Sequence, residues 1–317
     1  MIPTRLHLWF FVWLFLALSA PFVRAKEPMY ALPFPEERQA WEAIAARFND
    51  GFTETRGRGI VELAVKGLKG PKPAETATAS IRVDEASGHV IEVGSNGAHF
   101  TDPEFANFAK FPELRALTLW HNGGADFNGT GLAHVAALPK LEKITLAGGS
   151  LNDAGMAELA KIKTLREFHA WHAAYTDAGI AALRAHPALE VFRVGPQWKP
   201  TFTDQGLAAL ATCPKLARVG VDETWLTWDG SLHLLADRRD TLKSIDLGSC
   251  LIDPADVDRL RAALPKVTIQ WKGLPAAGAA FQKPQVRATA EKWMPKELIA
   301  RAVSEAEKAA PSVPASK

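Results

Sequence analysis

Two histidines, His169 and His172, come closest to a site with chemistry of its own, because imidazole nitrogens are common zinc ligands. A third histidine, His121, precedes them in the chain. A His-x-x-His spacing on a strand, however, sends the two rings to opposite faces of the sheet. No carboxylate or thiol stands at ligand spacing beside them. We therefore expect no metal site and no cofactor.

Motifs of catalysis are missing from the sequence as well. It has no nucleophile elbow, no His-Glu-x-x-His helix and no glycine loop that would cradle a phosphate. The pairs Gly123-Gly124 and Gly148-Gly149 stand in loops, where tight turns explain them. The sequence alone does not exclude a Ser-His-Asp triad, because the three residues of a triad come together from distant positions in the chain. We expect a protein that is not an enzyme.

Aromatic residues offer binding chemistry instead. Several follow short apolar segments that alternate like strands: Trp120, His121, Trp171, His172, Trp198 and Trp225. An exposed apolar patch on a soluble protein usually marks an interaction site. We hypothesise an aromatic rim that binds a protein, a peptide or a glycan. The alternative is that the rings cover the ends of helices and belong to the core.

Repeating units must position these residues. One phrase recurs in seven copies: an apolar residue, a polar pair, often a glycine, a helix-like apolar stretch, then Leu-x-x-h-x-h, where h is apolar. The copies begin at Phe100, Phe127, Leu151, Tyr175, Phe202, Leu226 and Leu251. Neighbouring copies start 24 to 27 residues apart, which is the period of a stacked-repeat architecture.

Each copy predicts one helix and one strand. Thr176-Asp177 is typical of a helix N-terminus, and Ile180 and Leu183 follow at helical spacing. In the strand of the second copy, Ile144 points inward, whereas Lys143 points outward. A unit of this size cannot bury its apolar face alone, but stacked units can. Stacking would form a parallel concave sheet with helices along the convex side.

Aligning the strands predicts the outward surface and the candidate site. Two copies each carry three extra residues after the strand, in WHNGGADF and GPQWKPTF, and insertions on a common edge often mark a binding face. Tryptophan and arginine are the residues that most often anchor interfaces. The candidate binding residues on this face and rim are Trp120, Lys143, Glu167, His169, Trp171, Arg193, Trp198, Arg218, Asp222, Trp225 and Asp246.

From about Val90 to Trp271 the chain resembles the leucine-rich-repeat family, in its helix-containing, ribonuclease-inhibitor-like form with an h-T-D-x-G-h phrase. It looks like the exported bacterial members. The resemblance implies an α/β fold, a horseshoe- or arc-shaped solenoid of about seven repeats. It is specific for the fold and uninformative about the partner, because the family is mostly a binding scaffold.

The first 25 residues predict export. Arg5 precedes the apolar run Leu6–Ala20, and Val23-Arg24-Ala25 supplies a cleavage site. We expect a cleaved signal peptide over 1–25, with an uncleaved membrane anchor as the alternative. No second apolar segment is long enough to span a bilayer, so we expect no stable membrane span after cleavage.

The segments on either side of the repeats read as caps. Residues 26–89 predict an N-terminal cap with a helix over 35–48, a strand over 60–65, a connector over 67–78 and a hairpin over 81–93. Residues 90–272 form the predicted solenoid. Residues 273–317 predict a cover over 273–283, a loosely docked helix over 292–309 with Trp293, Leu298, Ile299 and Val303 on one side, and a disordered tail.

Composition excludes some partners. The 37 basic and 35 acidic residues give a net charge of +2 without a basic cluster, which argues against nucleic acid. Cys213 and Cys250 fall in loops at opposite edges of the predicted sheet, so we expect two free, buried thiols.

These observations together predict an exported binding protein without enzymatic activity, periplasmic or secreted, that recognises a protein or peptide, with a glycan as the second choice. The alternative is a structural protein that organises the envelope and has no specific ligand pocket.

Overall fold

The computed structural model describes residues 31–309 except 71–73, 124–125, 196–201 and 293. The predicted signal peptide, the predicted disordered tail and both Trp198 and Trp293 therefore lie outside the described residues. The described strands form one sheet of 11 strands in chain order, so that each strand pairs with its sequence neighbours.

The sheet begins with an antiparallel meander. Helix α1 (Pro35–Ala45) precedes strands β1 (Phe48–Gly57), β2 (Ile60–Leu68), β3 (Ala74–Asp84) and β4 (Val90–Asn96). Strands β1 to β4 pair antiparallel in order. The apolar face of this meander is buried in the same cluster as the rest of the sheet.

Two expectations for this region need correction, and one strand was not predicted. The helix predicted over 35–48 ends at Ala45, because Phe48 is already the first residue of β1. Strand β1 itself was not predicted: its polar residues alternate with few apolar ones. The connector predicted over 67–78 is shorter, since β3 begins at Ala74. The hairpin predicted over 81–93 is confirmed by the pairing of β3 with β4.

From β4 onward the pairing is parallel and strands alternate with helical segments. The parallel strands are β5 (Ala116–Trp120), β6 (Lys143–Ala147), β7 (Glu167–Trp171), β8 (Val191–Val194), β9 (Arg218–Gly220), β10 (Ser244–Asp246) and β11 (Thr268–Gln270). The helices between them are α2 (Phe105–Phe108), α3 (Leu132–Val135), α4 (Asp153–Leu159), α5 (Asp177–Ala181), α6 (Asp204–Leu210), α7 (His233–Ala236) and α8 (Pro254–Ala263). Inward strand residues and helix residues share one core. The other sheet face carries no helix among the described elements, and we call it the open face.

An aspartate at the start of each of the helices α4, α5 and α6 joins neighbouring units. Asp177, the first residue of α5, accepts hydrogen bonds from the Thr203 amide at 2.8 Å, the Thr203 hydroxyl at 2.6 Å and the Gly206 amide at 2.8 Å. The same bonds to a threonine amide and hydroxyl recur between Asp153 and Thr176, and between Asp204 and Thr227. Hydrogen bonds to an ionised acceptor are stronger than neutral ones, so these aspartates hold adjacent units together.

The glycine in the repeated phrase makes room for this aspartate. A Cβ atom at Gly206 would lie 2.8 Å from the Asp177 carboxylate, and it would overlap with the ring of Phe202. Gly179 and Gly230 face the preceding aspartate in the same way. The Thr-Asp-x-Gly sequence therefore encodes a contact between units as well as a helix cap.

The chain turns through the left-handed region immediately after β4, β5, β6 and β7, at Gly97, His121, Gly148 and His172, with φ of 67°, 49°, 75° and 56°. After β9 it does so three residues later, at Glu223, with φ of 53°. The left-handed conformation raises the free energy of any residue that carries a side chain, whereas glycine adopts it without that cost. The side chain of His121 makes a 2.7 Å hydrogen bond with Asn96, which helps to hold that turn.

Three helices close the C-terminal end. They are α9 (Gly273–Phe281), α10 (Pro284–Ala290) and α11 (Lys296–Ala309). Leu251, Phe281 and Ile299 are fully buried in one cluster of apolar side chains between these helices and the last repeating unit. The last helix is therefore firmly packed, which corrects the expectation of loose docking. Its apolar face was predicted correctly: Ile299 is buried, and Leu298 and Val303 pack against the same cluster.

Both cysteines are free and buried. Burial raises the pKa of the Cys213 thiol and that of the Cys250 thiol. Both thiols therefore stay protonated and unreactive at neutral pH. Within the described part of the chain, no helix is long and apolar enough to cross a membrane.

His186 is a buried titratable group beside the core. It is 3% exposed, and its Nε2 atom lies 3.1 Å from the carbonyl oxygen of Ile162. Its Nδ1 atom has no hydrogen-bond partner among the described residues. Burial lowers the pKa of His186, so the folded chain keeps this ring neutral.

We expect the free energy of unfolding to fall as the pH drops below about 6.5, the ordinary histidine pKa. The unfolded chain binds a proton there that folded His186 does not accept until the pH is lower, so acid favours unfolding. Burial also lowers the pKa of His169 and of His172, with an effect of the same sign. Denaturant unfolding at neutral and mildly acidic pH measures the loss. His186→Leu should reduce it, and the exposed control His134→Leu should not. An equal loss in both variants would contradict the assignment to His186.

Candidate functional site

The parallel register carries three rows of side chains across the open face. The first row is Glu92, Ala116, Lys143, Glu167, Val191, Arg218 and Ser244. The second row is Gly94, Thr118, Thr145, His169, Arg193, Gly220 and Asp246. The third row, two residues further along each strand, is Asn96, Trp120, Ala147, Trp171, Gly195, Asp222 and Gly248. Nine of the eleven predicted site residues, Trp171 among them, lie in these rows.

An aromatic pair stands in the third row. Trp120 is 40% exposed, and its ring centroid lies 5.0 Å from that of Trp171 with 31° between the planes. Ala147 separates the two in the register, and its small side chain leaves space for the rings to meet. The ring of His169 stacks on Trp171 with centroids 6.0 Å apart. The open face thus presents three adjacent rings.

Three side chains of the open face each pack over a glycine of the next repeating unit. A Cβ atom at Gly195 would overlap with the ring of Trp171. At Gly220 it would lie 2.9 Å from the Arg193 Cγ atom, and at Gly248 it would lie 2.6 Å from the Asp222 Cγ atom. The glycines therefore fix where the larger side chains can stand.

An ion pair spans Gly220 and borders two depressions of the open face. The Arg193 Nη2 atom lies 3.0 Å from the Asp246 Oδ2 atom, two strands away. Gly220 lies between them and offers no side chain to separate them. Arg193 and Asp246 line two open depressions, of about 220 Å³ and about 380 Å³.

The smaller depression has both apolar and polar side chains in its lining. Glu167, His169, Arg218 and Ser244 line it together with the ion pair. Burial lowers the pKa of His169, and the positive charge of Lys143 acts in the same direction. Lys143 also pairs with Glu167 at 3.3 Å. The His169 ring is therefore neutral at pH 7 and can donate or accept a hydrogen bond.

The larger depression lies between two tryptophans. Trp171 stands on one side and Trp271 on the other, with Asp222 and Lys272 in the lining. The Trp271 indole N–H donates to the carbonyl oxygen of Cys250 at 3.0 Å. The Asp222 Oδ1 atom accepts from the Ser249 amide at 2.6 Å. Backbone contacts therefore hold both side chains in place.

Trp271 was not among the predicted site residues. It lies one position after the β11 residue Gln270, which pairs with Asp246, and so it belongs to the inward row by alternation. β11 is the last strand of the sheet, however, and Trp271 is only half-buried there. The sequence did carry one signal: Trp271 ends the degenerate final copy. The alternation of buried and exposed residues that holds for interior strands does not decide the exposure of a residue beside the last strand.

The predicted aromatic rim separates into different environments. Trp225 packs against the apolar cluster of the C-terminal helices and pairs as an isolated bridge with Leu251. It lines neither of the two depressions. His121 and His172 occupy the left-handed turns beyond the third row. Burial is the main cause that lowers the pKa of His172, followed by the charge of His121.

No three histidine, cysteine or carboxylate side chains of the described residues come together in a way that could hold a metal ion. The arrangement of the open face instead combines aromatic faces, fixed ion pairs and neutral hydrogen-bonding groups. Such a surface can bind, because its polar groups converge on depressions beside apolar rings.

Comparison with known proteins adds little beyond this geometry. No protein-family model matches the sequence, and no curated protein matches it. Among solved structures, the chain is similar to internalin C2 of Listeria monocytogenes, with 16% sequence identity and a TM-score of 0.39. That match covers 59% of this chain and 83% of the internalin chain. At this level the similarity assigns no activity and no partner.

Proposed function

We propose that this chain is an exported leucine-rich-repeat solenoid that binds a partner through its open face, which would be the concave one. Its activity is recognition without catalysis, in the periplasm or outside the cell. The seven copies of one phrase and their strictly parallel register support the repeat assignment. The apolar N-terminal run with its Val-x-Ala site supports export.

The aromatic pair carries the binding proposal. Trp120 is exposed although burial of a tryptophan would be favourable. Trp171 holds it in place at 5.0 Å, and Ala147 and Gly195 leave both rings their space. A preorganised aromatic surface loses little conformational entropy when a partner binds. Exposed rings of this kind are typical anchors of interfaces.

The double variant Trp120→Ala/Trp171→Ala tests this function. We expect it to lose at least about tenfold in affinity for the partner, because such anchors contribute most of the binding free energy. The measurement is retention of components of the organism's own extract, protein and glycan alike, on the immobilised chain.

A matched control lies on the helical side of the sheet. Glu158 and Lys161 form an exposed ion pair on α4 and the turn after it, and Glu158→Ala/Lys161→Ala should retain the same components as the unchanged chain. Thermal unfolding of each variant separates loss of binding from loss of fold. If the folded tryptophan variant retains what the unchanged chain retains, the open face is not the binding surface.

A further inference from the structure

We infer that the ligand of the open face is a neutral oligosaccharide, held across the two depressions on either side of the Arg193–Asp246 ion pair. The inference rests on the proposed function and names the chemistry of its partner. Four features of the face support it: its charge balance, its hydrogen-bonding pattern, its aromatic borders and the lack of a free strand edge among its central strands.

Charges on this face are already balanced by neighbours. Lys143 pairs with Glu167 at 3.3 Å, and Arg193 pairs with Asp246 at 3.0 Å. A charged ligand would have to compete with these contacts. Of the other cations that line the depressions, Arg261 pairs with Asp258 at 3.3 Å. Arg218 and Lys272 make no ion pair with another described residue, and each lies in a different depression. Neither depression therefore collects the like charges that would select an ion.

The hydrogen-bonding pattern matches hydroxyl groups. A hydroxyl donates one hydrogen bond and accepts others, so it needs an acceptor and a donor close together. The Arg193 guanidinium and the Asp246 carboxylate provide that pair, side by side between the two depressions. Neutral His169 and the Ser244 hydroxyl line the smaller depression, and each of them can act in either sense. A polyol satisfies such groups and leaves the ion pair in place.

Aromatic borders match the apolar faces of sugar rings. Trp171 and Trp271 flank the larger depression, and Trp120 extends the surface beyond Trp171. The negative face of an indole attracts the positively polarised C–H bonds of a pyranose. A ring that stacks on Trp171 would have the Arg193–Asp246 pair within the same depression.

An extended peptide has no free strand edge in the middle of this face. Strands β5 to β10 are paired on both sides, so a peptide could add as a strand only along the outer edge of β11, which does not line the smaller depression. A peptide held over Trp171 and the Arg193–Asp246 pair would therefore lack main-chain partners, which favours a saccharide there.

Titration calorimetry of the full chain tests the inference. The probes are neutral oligosaccharides of four to six residues: glucans, mannans, galactans, xylans and N-acetylglucosamine oligomers. We expect at least one of these classes to bind. Trp171→Ala and Asp246→Asn should each weaken that binding at least about tenfold, while Glu158→Gln on the helical side should leave it unchanged. If Trp171→Ala does not fold, Trp120→Ala gives the same test on a more exposed ring.

Salt dependence and a peptide library make the result decisive. Binding of a neutral ligand should change by less than about twofold between low and high salt, because there is no ligand charge to screen. A larger loss would mean that binding depends on the charges of the face rather than on neutral hydrogen bonds and stacking, and it would overturn the inference. If no oligosaccharide binds, while displayed random peptides bind in a Trp171-dependent way, the proposed function stands and the inference is wrong. If neither class binds through this face, both fail.

Discussion

Asp177→Ala should lower the free energy of unfolding by about 3 kcal/mol, because buried groups that lose a charged hydrogen-bond partner are costly. Asp177 accepts three hydrogen bonds from the next unit, two from Thr203 and one from Gly206. Alanine would leave the two backbone amides without that acceptor. Denaturant unfolding measures the change, and the transition should also become broader as neighbouring units uncouple.

The control for this prediction is an aspartate that makes no contact between units. Among the described residues, Asp258 in α8 pairs with Arg261 of its own helix, at 3.3 Å, and with no other cation. Asp258→Ala should therefore change the free energy of unfolding by less than about 0.5 kcal/mol. Equal effects of the two substitutions would mean that the aspartate ladder does not join the units.

Gly278→Val should detach the C-terminal helices from the last unit. A side chain at Gly278 would overlap with the backbone carbonyl of Ala302, since α9 and α11 approach each other at this point. Neither helix backbone can yield as a flexible side chain would. The cost should exceed about 3 kcal/mol, which is in the range of severe core disruption.

Loss of this packing should be visible as exposed apolar surface. Leu251, Phe281 and Ile299 would reach water, so the variant should bind a hydrophobic dye and become sensitive to protease within α9 to α11. Ala279→Val, at the next and exposed position of α9, is the matched control and should behave like the unchanged chain. A Gly278→Val protein with normal protease resistance would contradict the close approach of the two helices.

The repeats made most of the architecture predictable. Their spacing gave the order of strand and helix, and alternation within each strand gave the open-face residues, from Lys143 to Asp246. This works because each unit contacts mainly its sequence neighbours. A local pattern repeated seven times therefore determines the long-range pairing as well.

What could not be predicted depends on contacts without a repeat. Trp225 resembles the other tryptophans in sequence position, yet the C-terminal helices cover it, and those helices have no counterpart elsewhere in the chain. Trp271 becomes available to a ligand because no strand follows β11. Strand β1 carries charges at positions that an interior strand would fill with apolar residues. A polar edge strand of this kind is protected against association, but it gives a weak strand signal.

The smallest residues of the open face govern its chemistry. Gly195 decides the position of Trp171, and Gly220 lets Arg193 reach Asp246. A new methyl group at either glycine would rearrange a neighbour's aromatic or charged group without altering that group's identity. Diversification of this surface can therefore proceed through substitutions at its glycines as well as at its larger side chains. In a family of such chains, ligand specificity would change most readily through substitutions at these glycine positions.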